Sequence, residues 1–106
     1  MPHLTTHVLD AATGSPARAV AIALSTAEGE AVDSAVTDAD GRAGLGPDLL
    51  EPGDYTLRFE TGAYFLDQDV DAFYPFVTVT FRVTGERHYH VPILLSPFAY
   101  STYRGS

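Results

Sequence analysis

Two histidines lie in short segments whose alternation of apolar and polar residues is typical of β-strands. In LTTHVLD (4–10) and HYHVPILL (88–95), His7 and His90 both fall on the side opposite to the apolar row that would face a core. Imidazole has an ordinary pKa of about 6.5, so two imidazoles in a partly dry place can exchange protons at neutral pH. We therefore predict that His7 and His90 take part in proton transfer.

The HYH segment (88–90) also raises the question of a metal, because two imidazoles two residues apart on a strand project to one side. A catalytic zinc needs a third protein ligand, and without cysteine only His3, His7 or a carboxylate remains. We predict no metal site. The acidic run DQDVD (67–71) lacks the glycine and the glutamate that a calcium-binding loop requires, and we interpret it as a solvated surface.

Further polar groups lie after a turn and at the end of the chain. Arg42 follows a DADG turn, and Tyr103, Arg104 and Ser106 belong to the closing YRGS. Guanidinium and phenol groups offer directional hydrogen bonds to a planar, carbonyl-rich anion. Ser106 has no G-x-S-x-G segment around it, so water activated by histidine is an easier nucleophile than this hydroxyl.

The composition excludes several classes of partner. Fourteen Asp and Glu against six arginines and no lysine give a net charge of −8, whereas nucleic-acid binding needs a basic surface. No apolar run approaches the ~20 residues that span a bilayer, and the first ten residues do not form a signal peptide. We expect a soluble, cytoplasmic protein without nucleic-acid or membrane partners, and one domain over residues 1–106.

Turn clusters such as ATGSPA, TDADGRAG and VTGERH divide the chain into short alternating segments. This spacing predicts an all-β, antiparallel sandwich. The stretch 61–70 has no period of two and predicts one short helix between strands. Leu9, Pro92 and Leu94 would add large apolar groups to the outward faces beside the histidines, which indicates an association surface in an oligomer.

Three segments resemble one family: LTTHVLDAATGSPA, TDADGR and HYHVPILLSPFAYSTYRGS are similar to the 5-hydroxyisourate hydrolases, the enzymatic branch of the transthyretin-like family. The resemblance implies a transthyretin-like sandwich of two four-stranded antiparallel sheets with one short helix. It also implies a homotetramer, a dimer of dimers, with active sites in a channel at the dimer–dimer interface. The implied reaction is hydrolysis of 5-hydroxyisourate to 2-oxo-4-hydroxy-4-carboxy-5-ureidoimidazoline in urate degradation, without metal or organic cofactor.

The resemblance also assigns roles to residues. His7, Arg42 and His90 fill three family positions, and the YRGS ending is the most specific match. The two histidines would deprotonate a water molecule and Arg42 would bind the carbonyl oxygens of the substrate. Ser106 would join the catalytic group by orienting the ring together with Tyr103, while Arg104 contacts the substrate or anchors the terminal carboxylate.

Two other classes of function stay open from the sequence. A binding protein of the hormone-carrier type would use the same channel for a small ligand without consuming it. A structural sandwich would bind another protein through the face that carries Leu9, Pro92 and Leu94, and it would be a monomer in isolation.

Overall fold

The computed structural model describes residues 2–106, which form nine strands and one short helix. Most strands are separated by the Gly-, Pro- or Asp-containing turns that punctuate the sequence. The elements are β1 (Leu4–Asp10), β2 (Ser15–Pro16), β3 (Ala21–Thr26), β4 (Ala31–Val36), β5 (Arg42–Leu45), β6 (Gly53–Phe59), α1 (Thr61–Leu66), β7 (Val77–Val83), β8 (Tyr89–Ser96) and β9 (Ala99–Thr102).

The strands form two sheets, which we call the first and the second sheet. In the first sheet, β8 pairs with one side of β1 and with β9, while β2 and β5 pair with different parts of the other side of β1. The second sheet has the order β4-β3-β6-β7 and is antiparallel throughout. The predicted two-sheet sandwich is therefore confirmed.

Two details of the first sheet differ from the prediction. It has a fifth strand, because the two-residue β2 pairs with the end of β1. The pairing of β1 with β8 is parallel, whereas the prediction was antiparallel. Alternation of side chains reports which face a residue occupies but carries no information about the direction of the neighbouring strand. Parallel neighbours need a long connection, and here most of the chain lies between them.

The core is one apolar cluster between the sheets. The alternating rows that the sequence predicts supply it: every second residue of β1, β3, β6 and β8 is buried. Its largest fully buried apolar side chains are Phe59, Leu4, Leu24, Leu45, Leu57, Ile93 and Leu95. Because Leu4, Thr6 and Val8 face this core, Thr5 and His7 must face outward.

The predicted short helix is confirmed as α1, which follows β6 directly. Thr61 and Phe65, one helical turn apart, are its buried residues. The hydroxyl of Tyr64 donates to Asp10 Oδ2 at 2.9 Å, and the other carboxylate oxygen of Asp10 accepts the backbone N–H groups of Ala12 and Thr13. The helix thus stabilises the turn at the end of β1. No helix among residues 2–106 is long and apolar enough to cross a membrane.

Candidate active site

The outward face of the first sheet brings three of the predicted residues together. His7 lies on the central strand β1 and pairs with Arg42 of β5. On the other side of β1, the register places His90 opposite Thr5, which lies two residues before His7 on the same face of the strand. Residues at these positions of neighbouring strands project to the same face. The structure therefore places His7, Arg42 and His90 on one outward face of three adjacent strands.

His7 is half-buried, and its backbone partner assigns the proton on its ring. The Nε2 atom lies 2.9 Å from the backbone carbonyl oxygen of Asp40. A carbonyl oxygen can only accept a hydrogen bond, so Nε2 carries the hydrogen and Nδ1 of the neutral ring keeps a lone pair. His7 is thus fixed in orientation and has one nitrogen free to accept a proton.

His90 is also half-buried, and its surroundings favour the neutral ring. Burial lowers the pKa of His90 below its ordinary value, and electrostatic interaction with the neighbouring Arg42, His7 and His88 lowers it further. A hydrogen bond to the backbone of Thr5 acts in the opposite direction. The balance keeps His90 unprotonated at neutral pH, which is the form that a general base requires.

The DADG turn holds Arg42 beside His7. Asp38 Oδ1 accepts the backbone N–H groups of Asp40 and Arg42 at 2.9 and 3.0 Å, and the Arg42 bond is the main reason that the pKa of Asp38 is lowered. Gly41 has φ of 75°, and a Cβ there would collide with the backbone oxygen of Val8. The turn therefore needs glycine both for its conformation and for its close approach to β1.

The closing segment, residues 103–106, continues from β9 along the same edge of β8, so that Gly105 lies opposite His90. The N–H of Gly105 donates to the backbone oxygen of His90 at 2.8 Å. A Cβ on Gly105 would lie 2.5 Å from His90 Cδ2 and 3.1 Å from Pro92 Cγ, so Gly105 packs closely against both side chains. Gly105 thus covers the ring of His90, and the exposed Ser106 follows it.

Arg104 and Tyr103 lie beside His90 rather than beside His7 and Arg42. The guanidinium of Arg104 sits over the ring of Tyr89, with its Cζ 4.5 Å from the centroid. Tyr89 belongs to the core-facing row of β8, so this contact directs Arg104 away from His7. Tyr103 is exposed, and together with Arg104 it lines a cavity of about 270 Å³ beside β7. The cavity is also lined by His90, so within one chain these two predicted substrate-binding residues adjoin one of the three central residues.

Pro92 departs from the predicted apolar outer patch. It is buried within the single chain, because the closing segment packs against it, whereas Leu9 and Leu94 pair across β1 and β8 and stay partly exposed. The outer apolar surface is therefore smaller than the alternation alone predicts, since a strand pattern does not show which later segment folds over a face.

Sequence reasoning missed Thr5. Its Oγ1 lies 2.8 Å from Nδ1 of His90 and 2.8 Å from Nε2 of His88. The alternation of LTTHVLD already puts Thr5 on the face of His7, which was the available signal, but the partner strand is not readable from that pattern. The HYH pair thus meets a hydroxyl, and residues 2–106 contain no group of three His, Asp or Glu arranged to hold a metal ion.

Comparison with known proteins defines the family. The profile of the HIUase/Transthyretin family matches residues 4–105, and the chain therefore belongs to this family. It is 41% identical over 114 residues to the probable 5-hydroxyisourate hydrolase of Schizosaccharomyces pombe, with 99% of this chain and 92% of that protein covered.

Two solved structures share the fold. The structure of Klebsiella pneumoniae 5-hydroxyisourate hydrolase has a TM-score of 0.91 at 40% identity, covering 97% of this chain and 98% of the other. Sea bream transthyretin in complex with thyroxine has a TM-score of 0.88 at 35% identity, covering 96% and 93%. The same backbone thus occurs in a hydrolase and in a thyroxine-binding protein, so the side chains must distinguish the two functions.

Proposed function

We infer that this protein hydrolyses 5-hydroxyisourate to 2-oxo-4-hydroxy-4-carboxy-5-ureidoimidazoline, the reaction in urate degradation that the names of its hydrolase relatives indicate. The observation that carries the inference is the adjacency of His7, Arg42 and His90 on one outward face. Hydrolysis of a cyclic amide needs groups that activate water and a cation that stabilises the developing oxyanion. The two histidines suit the first role and Arg42 suits the second.

His90 and His7 supply the proton transfers. Both rings are half-buried on adjacent strands, His90 is kept neutral by its surroundings, and His7 has its Nδ1 lone pair free. We propose that together they orient and deprotonate one water molecule. General acid–base help of this kind contributes about 10²–10⁴-fold to a rate.

The bond changes balance with water as the only co-reactant. The oxygen of the activated water forms a bond to the ring carbonyl carbon C6, and its proton passes to a histidine. The C6–N1 bond then breaks, the histidine returns a proton to N1, and C6 becomes a carboxylate after the remaining proton leaves. The two histidines thus end the cycle in their starting forms.

Arg42 stabilises the negative charge that develops on the C6 oxygen. It is exposed at the end of the site, where a guanidinium can meet the substrate's carbonyl oxygens without first breaking a buried ion pair. A fixed hydrogen-bond donor to such an oxyanion typically stabilises the transition state by about 3–4 kcal/mol. Ser106 and Tyr103 are proposed to orient the ring, while Arg104 steadies the closing segment through its contact with Tyr89.

We propose a cytoplasmic homotetramer, a dimer of dimers, as the working form. Three observations support association: Leu9 and Leu94 stay partly exposed on the site's face, and β7 and β9 each have one unpaired edge. Substrate contacts from Tyr103 would then involve a neighbouring subunit. Gel filtration with light scattering tests the assembly, and a monomer at micromolar concentration would contradict it.

A thyroxine-type binding protein is the second candidate, because the sea bream transthyretin structure matches nearly the whole chain. The hydrolase function is favoured because Arg42 lies beside two imidazoles. These polar groups suit a polar, anionic substrate better than an apolar ligand. A carrier would show saturable ligand binding and would leave freshly made 5-hydroxyisourate unchanged.

The test follows the ultraviolet decay of 5-hydroxyisourate produced in situ from urate, with the spontaneous decay subtracted. The protein should accelerate the decay, and His7→Ala, His90→Ala or Arg42→Ala should each lower kcat at least about tenfold while the assembly persists. Arg58→Gln is the matched control, because it removes a guanidinium from the outer face of the second sheet. Wild-type protein without acceleration would refute the function.

A further inference from the structure

The hydroxyl of Thr5 lies between two imidazoles at hydrogen-bond distance from both. Its Oγ1 is 2.8 Å from His90 Nδ1 and 2.8 Å from His88 Nε2. The register of β1 and β8 produces this arrangement, since Thr5 is the direct partner of His90 and His88 lies on the same face two residues earlier. Thr5 is therefore hydrogen-bonded to Nδ1 of His90, the proposed base, and leaves Nε2 of His90 without this contact.

A threonine hydroxyl has one hydrogen to donate and lone pairs to accept. If Thr5 donates to His90, then Nδ1 of His90 holds the lone pair and Nε2 carries the hydrogen. If Thr5 donates to His88, it accepts from His90, so Nδ1 carries the hydrogen and Nε2 holds the lone pair. Whether the Thr5 hydroxyl donates to Nδ1 or accepts from it thus selects the tautomer of His90.

Only the second direction leaves His90 able to act on a water molecule. In the first direction its single basic nitrogen is already engaged by the Thr5 hydroxyl. In the second direction, Nδ1–H stays bonded to Thr5 whether Nε2 is free or protonated, so proton uptake requires no rearrangement. His88 is exposed and can adopt either tautomer beside solvent, which lets it serve as the acceptor of the Thr5 hydrogen.

We propose that Thr5 is a positioning residue: it accepts a hydrogen bond from Nδ1–H of His90 and donates to Nε2 of His88, and so keeps the Nε2 lone pair of His90 available. The catalytic consequence rests on the proposed function, since it requires His90 to be the base. The tautomer itself is a property of the free protein and is measurable without substrate.

The decisive measurement is the tautomer of His90, read from long-range ¹H–¹⁵N NMR at about pH 8, where imidazoles are neutral. Wild type and Thr5→Ser should show the Nδ1–H form, whereas Thr5→Val, which keeps the shape but lacks the hydroxyl, should move the ring toward the Nε2–H form. Thr6→Val is the matched control: its hydroxyl also joins β1 to β8, donating to the backbone oxygen of Val91, but it faces the core.

Kinetics provide the second readout. Thr5→Val should lower kcat about tenfold or more with KM within about twofold, and Thr5→Ser should restore most of the rate. An unchanged His90 tautomer in Thr5→Val, or a serine variant as impaired as the valine one, would overturn the proposal. If the wild type fails to consume 5-hydroxyisourate, the proposed function fails, and the NMR comparison still decides the assignment of Thr5.

Discussion

Gly105→Ala tests whether the closing segment must sit on His90 for the reaction to occur. The added methyl would lie 2.5 Å from Cδ2 and 3.3 Å from Cγ of His90, and 3.1 Å from Pro92 Cγ. A separation of 2.5 Å is far below van der Waals contact, so either the imidazole rotates or the segment lifts. Lifting also breaks the 2.8 Å hydrogen bond from Gly105 N–H to the His90 backbone oxygen.

The size of the effect follows from the cost of overpacking, which is about 1–3 kcal/mol for an inserted methyl group. At about 1.4 kcal/mol per factor of ten, the ratio of docked to undocked segment should fall about 5- to 150-fold. The activity on 5-hydroxyisourate should fall by up to that factor. Because the same cost falls on the folded state, Tm should fall by at most about 4–8 °C for each kcal/mol.

The assay compares initial rates of 5-hydroxyisourate decay for wild type, Gly105→Ala and Gly85→Ala. Gly85 is a matched control in the β7–β8 loop, because a Cβ there meets nothing within 4 Å. Full activity in Gly105→Ala would refute the idea that close coverage of His90 matters. An equal loss in Gly85→Ala would show that the effect belongs to glycine replacement in general.

Two further predictions concern the charge and the turn beside the site. Arg42→Gln removes a positive charge that lowers the pKa of His90, so that pKa should rise toward its ordinary value, and an NMR titration of His90 should show the acid transition at higher pH. An unchanged titration would mean that Arg42 does not act on His90. Gly41→Ala forces a side chain into a φ of 75° and against Val8, so the free energy of unfolding in urea should fall by about 1–3 kcal/mol. An unchanged urea midpoint would show that the turn relaxes without cost.

The direction of the His90 effect also has a consequence for stability. Its folded pKa lies below the unfolded value of about 6.5, so the unfolded chain binds more protons in the interval between the two. The free energy of unfolding therefore falls as the pH drops from 6.5 through the folded pKa. Arg42→Gln should narrow the pH interval between the folded and unfolded pKa values of His90, because it removes one of the charges that lower the folded pKa.

Alternation of side chains was enough to predict which faces the chemistry occupies. His7 and His90 follow the predicted pattern, each half-buried beside fully buried neighbours, and so does the helix that begins at Thr61. These features depend on local periodicity, which is a property of five to ten consecutive residues. The sheet face of a residue is therefore readable from a single sequence.

Pairing between distant segments was not readable in the same way. The parallel contact of β1 with β8, which joins Thr5 to His90, depends on the path of the whole chain. Coverage of Pro92 by the closing segment and the contact of Arg104 with Tyr89 likewise form between residues whose spacing has no periodic signal. The resemblance to a family supplied the identity of the site residues, but not these contacts.

Arg42 should affect the pKa of His90 differently in the free site and in the site with substrate bound. In the free protein its guanidinium opposes protonation of His90, together with His7 and His88, and so preserves the base. An anionic substrate that binds Arg42 offsets that positive charge, and the offset removes part of the repulsion. In the proposed mechanism, the basicity of His90 therefore increases only when a substrate is bound, because the cation that lowers the pKa of the empty site would also bind the carbonyl oxygens. A cation on the core side of β5 would neither lower the pKa of His90 nor reach the substrate. The proposed reaction therefore depends on the pairing that places Arg42 beside His7 on the outward face.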